Sequence, residues 1–243
     1  MKILVVQGSP RGAQGNTEVL VQAFLEGAKE AGATQTEVAY LKGKTIKHCI
    51  GCFTCWTRTP GVCCHHDDMP ELLMKARDAD MVVMATPLYY YTMTGMLKDF
   101  MDRCLPLGQP FMDIKDGLCC HPPRYRSGLR NIVLISNAGF PEQAHFNGLK
   151  ETFRVLAHGD NGRIKGMICC AGGATLHNKE QRGMFQWYLD AVKKAGTEVV
   201  REGQVSEATT AVLDRPLFGD QVAYAEHVNQ HWTSMGVQRV DPA

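Results

Sequence analysis

Short apolar runs alternate along this chain with longer stretches in which apolar residues recur every three or four positions. Residues 3–6 are a continuous apolar run, and strands are also predicted over 36–41, 80–85, 131–136 and 165–170. Between them the spacing becomes that of an amphipathic helix: Val19, Leu20, Ala23, Phe24 and Ala28, closed by Gly32; then Leu72, Leu73 and Ala76; then Met96, Leu97, Phe100, Met101 and Cys104 within 95–105. Further helices are predicted over 146–157, 178–197 and 218–234, the last carrying Val222, Ala225, Val228 and Trp232. Asp68 and Glu71 bracket Pro70 as a capping box would, so a helix is expected to start on Asp68.

Five strands separated by helices require crossover connections, which make the strands parallel. Strands apolar throughout must be covered on both faces. The predicted fold is therefore α/β: a three-layer, doubly wound, five-stranded parallel sheet. No repeat, linker or low-complexity tract divides 1–243, so a single domain is expected. It carries a cysteine-rich loop at 47–66, an insertion at 106–128 rich in Pro, Gly and Cys, and a helical extension at 200–243.

Charge narrows the partners. The 243 residues hold 26 Lys plus Arg against 25 Asp plus Glu with no basic run, which argues against nucleic acid and against an anionic membrane surface. The opening segment is too short in apolar residues for a leader or a membrane span, and a cytoplasmic location is expected. In a reducing compartment ten cysteines read as buried thiols, metal ligands or redox groups rather than as five disulfides.

Ligands of open α/β sheets bind beyond the carboxyl ends of the strands, so the loops there carry the chemistry. After the first strand come Gly8-Ser9-Pro10-Arg11-Gly12-Ala13-Gln14-Gly15-Asn16-Thr17. Backbone N–H groups at the following helix N-terminus, with the Arg11 guanidinium, suit a phosphate. The glycine spacing fits neither a dinucleotide fingerprint nor a Walker A loop, so a mononucleotide fits better; Gly43-Lys44-Thr45 lacks its upstream glycine, since that position is Val38 inside a strand. After the third strand three consecutive tyrosines, 89–91, cannot share one core, and their flat rings suit stacking on a heteroaromatic ligand or a subunit contact. Asn137-Ala138-Gly139, after the fourth, offer small residues where a planar ring could approach.

Cys49-x2-Cys52-x2-Cys55 is closed by Cys63 and Cys64, with Gly51 and Pro60-Gly61 supplying sharp turns. Four-cysteine zinc sites more often use two separated pairs, so an iron–sulfur cluster is the better metal reading; the alternative is free thiols shaping a loop or a contact. Cys119-Cys120 and Cys169-Cys170 lack metal spacing, the latter pair reading as core. His227 and His231 read as a polar helix face, and His65-His66-Asp67-Asp68 as a solvated helix start.

Taken together, Gly-Ser-Pro-Arg with Gly-Asn-Thr at 8–17, Thr-Pro-Leu-Tyr at 86–89, Gly-Met-Leu-Lys-Asp-Phe-Met-Asp-Arg at 95–103 and Ser-Asn-Ala-Gly-Phe at 136–140 resemble the NADPH-dependent FMN reductases of the flavodoxin-like superfamily. The cysteine motif resembles that of their iron–sulfur flavoprotein subgroup. The resemblance implies an FMN whose phosphate is held by Ser9, Arg11, Gly15, Asn16 and Thr17. It implies an isoalloxazine held by Pro87, Leu88, Tyr89 and Tyr90 with Asn137, Ala138 and Gly139, and no catalytic side chain, because the flavin performs the chemistry. NAD(P)H would be the co-substrate and a quinone, nitro or azo compound the acceptor. In the subgroup, a 4Fe-4S cluster on Cys49, Cys52, Cys55 and Cys63 would pass electrons from ferredoxin to FMN. A flavodoxin-type carrier is the non-enzymatic alternative, and a homodimer or homotetramer is expected.

Overall fold

The computed structural model describes residues 1–126, 129–157 and 162–240; positions 127–128 of the expected insertion and 241–243 of the expected extension lie outside the described residues. In chain order the elements are β1 (Lys2–Gln7), α1 (Asn16–Glu30), β2 (Gln35–Tyr40), α2 (Thr54–Thr57), α3 (Met69–Asp78), β3 (Met81–Pro87) and α4 (Gly95–Asp102). There follow β4 (Asp113–Lys115), β5 (Leu118–Cys120), β6 (Ile132–Asn137), α5 (Asn147–Leu156), β7 (Ile164–Cys170), α6 (Lys179–Arg182), α7 (Gln186–Arg201), α8 (Glu207–Leu213) and α9 (Gln221–Ser234). Five strands form a parallel sheet in the order β2-β1-β3-β6-β7. This is the flavodoxin-like order, with its switch point between β1 and β3.

Strand alternation explains the continuous apolar runs. Ile3 and Val5 of β1 enter one core with α1 and α7, while Leu4 and Val6 enter the other with α3, α4 and α5. Both faces are dry, so positions 3–6 are all apolar. On the first face α1 and α7 touch backbone to backbone. A Cβ at Gly27 would overlap the Lys193 carbonyl, and one at Gly196 would overlap that of Phe24.

One expectation needs correction, and two gain detail. The capping box does not form: the Asp68 carboxylate accepts from the Thr45 N–H at 2.6 Å and Glu71 pairs with Lys75 instead. Holding the cysteine loop to α3 takes precedence over capping it. The insertion contains an antiparallel hairpin, β4–β5, turned by Asp116 and Gly117 at φ 46° and 79°. These left-handed angles are those of a type I′ turn, and Asp-Gly is its signature. Finally, the apolar stripe on α9 packs against little: no residue of that helix is fully buried, and Val222 and Trp232 are exposed. Among the described residues, no helix is long and apolar enough to cross a membrane.

Candidate cofactor site

The loops after β1, β3 and β6 emerge side by side because their strands are neighbours in the sheet. The first is tied down by its own polar groups. Gln7 and Ser9 are buried; Gln7 Oε1 accepts from the Ser9 N–H at 3.2 Å, and Ser9 Oγ accepts from the Arg11 N–H at 3.3 Å. Beneath them lies the buried Glu18 carboxylate, which accepts from Gln7 Nε2 (3.0 Å), Gln22 Nε2 (2.6 Å) and the Tyr40 hydroxyl (2.7 Å). Burial and that carboxylate push the Tyr40 phenol up to about 12, so it stays a donor.

The N-terminus of α1 carries no side-chain cap, since its N-cap is Gly15. A Cβ at Gly15 would stand 2.7 Å from Ser9 Oγ and 3.3 Å from the Gly12 carbonyl oxygen, so a side chain there would displace Ser9. The Glu18 N–H donates to the Gly15 carbonyl, and the Asn16 and Thr17 N–H groups have no acceptor among the described residues, so two first-turn donors lie free under a small loop, an arrangement that suits phosphate. Arg11 is exposed beside it. Asn16 and Thr17 do other work. The Asn16 amide donates to the Ala174 carbonyl (2.6 Å) and accepts from the His177 N–H (2.7 Å); the Thr17 hydroxyl donates to Asn137 Oδ1. These two therefore join the β1 loop to the segments after β7 and β6.

Across the switch point, Thr94 caps α4 and donates to the Gly8 carbonyl at 2.7 Å. Pro87 ends β3, and the Leu88 N–H donates to the Asn137 carbonyl at 2.8 Å. All three tyrosines are exposed, Tyr90 at 97%. Tyr90 and Tyr91 have φ of 46° and 63° and form the tip of a tight turn closed by Tyr89 and Thr92. Aromatic residues at positions that favour Asn-Gly store strain, a mark of functional loops. Tyr91 packs on His145 (5.7 Å between centroids), which packs on Phe140 (4.6 Å). Asn137 and Ala138 are buried and Gly139 is exposed at the tip of the β6 loop.

The cysteine loop forms a second centre. Cys49, Cys52, Cys55, Cys63 and Cys64 line one small cavity with Ile50, Phe53, His65 and Leu105. Gly51, Phe53 and Gly61 adopt left-handed φ of 63°, 54° and 87° to fold it. Among the described residues no three His, Cys, Asp or Glu side chains are arranged to hold a metal ion. Donors are nevertheless aimed at sulfur. The Thr54 hydroxyl and N–H at the start of α2, with the Cys64 thiol 3.5 Å away, lower the Cys52 thiol to about 7. Burial, with neighbouring Cys63 adding, raises Cys55.

What holds this loop escaped the sequence. Arg103, just beyond α4, is 1% exposed and grips the fully buried Asp67 carboxylate with both terminal nitrogens, at 2.7 and 3.1 Å. It also donates to the Lys47 carbonyl at 2.7 Å; among the described residues its Nε has no hydrogen-bond partner, and the guanidinium stands against Cys63. Burial opposes ionisation of Asp67, yet Arg103 and the Lys47 and Met69 N–H groups outweigh it and bring the carboxyl down to about 2. So Asp67 belongs to the core of the loop, not to a solvated helix start. Cys169 and Cys170 lie buried in β7 as expected, with burial raising both thiols.

Residues 1–113 match the NADPH-dependent FMN reductase family. An iron–sulfur flavoprotein of Archaeoglobus fulgidus is 33% identical over 144 residues, 59% of this chain and 58% of that protein. The chain thus spans little more than half the length of that relative. A Bacillus subtilis protein named as an NAD(P)H-dependent FMN-containing oxidoreductase is 25% identical over 216 residues, covering 88% of this chain and 98% of that protein. The fold is shared with an FMN-dependent NADH-azoreductase of Bacillus anthracis solved with FMN, at 14% identity and a TM-score of 0.57, over 83% of this chain and 98% of that one.

Proposed function

We propose that this protein is an FMN-dependent oxidoreductase that takes electrons from NAD(P)H and delivers them to a small acceptor such as a quinone, nitro or azo compound. The uncapped N-terminus of α1, set under the Ser9–Gly15 loop at the sheet's switch point, carries the reading. When bound, FMN supplies the redox chemistry. The chain's own residues bind and orient: α1 N–H groups, Ser9 and Arg11 neutralise the phosphate, while Gly15 admits it and Asn16 and Thr17 brace the loop. Pro87, Leu88, Tyr89 and Tyr90 with Asn137, Ala138 and Gly139 border the ring, and the exposed tyrosines offer a flat face to the second substrate. No catalytic side chain is assigned. Residues 1–243 act as one flavodoxin-like unit, assembled as a homodimer or homotetramer.

A second reading has its own observation. The cavity lined by five cysteines, with hydrogen-bond donors set at Cys52 and Cys63, suits a 4Fe-4S cluster, whose potential is tuned by such donors. Cys49, Cys52, Cys55 and Cys63 would hold it, ferredoxin would supply the electrons, and the iron–sulfur flavoprotein name of a relative supports it. An absorption spectrum with iron and zinc analysis of anaerobically purified protein tests both. Flavin with steady NAD(P)H consumption supports the first; flavin with iron that is lost in Cys52→Ser and kept in Cys64→Ser supports the second. Protein with neither flavin nor iron overturns both.

A further inference from the structure

The C-terminal extension reaches the candidate flavin site at one residue of the β6 loop. Tyr224, on the first turn of α9, donates its hydroxyl hydrogen bond to the Gly139 carbonyl. Its ring packs on Phe218 at 4.6 Å between centroids, and Phe218 meets the core residue Phe185 edge-on at 5.7 Å. Phe218 also lies over Gly172, leaving no room there for a side chain, while the Gly172 N–H donates to the Phe140 carbonyl at 2.7 Å. Two successive carbonyls of the β6 loop are therefore held, one by Tyr224 and one by Gly172.

No peptide bond among the described residues is cis. In a trans peptide the C=O and the N–H point in opposite directions. Fixing the Gly139 carbonyl toward α9 thus turns the N–H of the same peptide, that of Phe140, away from α9. That N–H has no protein acceptor among the described residues. A reduced flavin ring needs such donors at its electron-rich edge. α9 itself has no fully buried residue and adds little to the core, so its tie to the β6 loop runs through Tyr224, packed on Phe218 and bonded to Gly139. Burial, with Glu142 adding, raises the Tyr224 phenol, which keeps it a donor.

We propose that Tyr224 is a positioning residue for the FMN site, setting the Gly139–Phe140 peptide so that its N–H serves the bound ring. This rests on the proposed function. The test compares the full chain with Tyr224→Phe, which removes only the hydroxyl, and with Val222→Ser on the same exposed helix. FMN affinity is read by fluorescence titration, the environment of the ring by the bound flavin's absorption bands, and folding by the Tm of the FMN-free protein. Tyr224→Phe is expected to weaken FMN about fivefold to tenfold and shift the bands, as for one hydrogen bond lost to the ring, while Tm falls by no more than a few degrees. Val222→Ser should change none of the three. Unaltered affinity and bands in Tyr224→Phe, or a Tm that falls far enough to leave the protein partly unfolded at the temperature of the titration, overturn the inference alone. Wild-type protein that takes up no FMN overturns the proposed function and this inference with it.

Discussion

The loop after β1 and the cysteine loop, the two candidate cofactor sites, are held by different means. The first rests on many modest bonds: Gln7 to Ser9, Ser9 to Arg11, Glu18 to three donors, Asn16 to the segment after β7 and Thr17 to Asn137. The second is centred on a buried ion pair, Arg103 with Asp67, from which the Lys47 carbonyl and Cys63 also hang, with outer ties from Asp68 to the Thr45 N–H, His48 to Asp99 and Trp56 to the Leu105 carbonyl. A distributed network loses about 1 kcal/mol per bond removed, whereas a concentrated one fails at a single residue because the abandoned charge stays buried.

That contrast can be broken. Arg103→Met should cost about 3–5 kcal/mol in urea unfolding, the penalty of an orphaned buried carboxylate, and should scatter the cysteines. A loss as small as that of Gln22→Ala would show that the outer ties, not the ion pair, carry the loop. Arg11→Ala should leave stability alone, because the side chain is exposed, and weaken FMN by about 1.5–3 kcal/mol; retention of FMN through dialysis would remove Arg11 from the phosphate site. The ion pair also predicts a pH window. Asp67 falls from 3.8 to about 2 on folding, so its contribution is complete above about pH 4 and disappears as pH drops toward 2. The loss is about 2 kcal/mol, readable as a falling urea midpoint. The smallest effect belongs to the tyrosine turn: Tyr90→Asn should raise stability by about 1 kcal/mol by relieving a left-handed aromatic residue, while acceptor reduction declines if that ring stacks on substrate.

The doubly wound sheet was legible because each of its inner strands faces two dry layers, which leaves continuous apolar runs such as Leu4 beside Val5. The loops were legible for their composition and not for their wiring. Asn16 and Thr17 have the residue types of a phosphate loop, yet their hydrogen bonds run to Ala174, His177 and Asn137, more than a hundred residues away. Arg103 was visible only as the last residue of the 95–103 motif, and nothing pointed to its role, since it continues an amphipathic helix and its partner Asp67 stands in a run of polar residues. Asp116-Gly117 was a readable hairpin turn, obscured by the short strands around it. Asp68 looked like a cap by spacing alone, which does not say where a carboxylate will find its N–H donor.

The glycine crossing of α1 and α7 reaches further than its place in the core suggests. α1 is a stiff rod, and its pivot at Gly27 lies about 15 Å along the axis from the turn that would receive the phosphate. A methyl group added at Gly27 or Gly196 would lever the rod's far end out of register with the sheet. A screen for variants that fold but no longer hold the yellow cofactor should therefore return these two glycines alongside Arg11, although neither comes near the ligand.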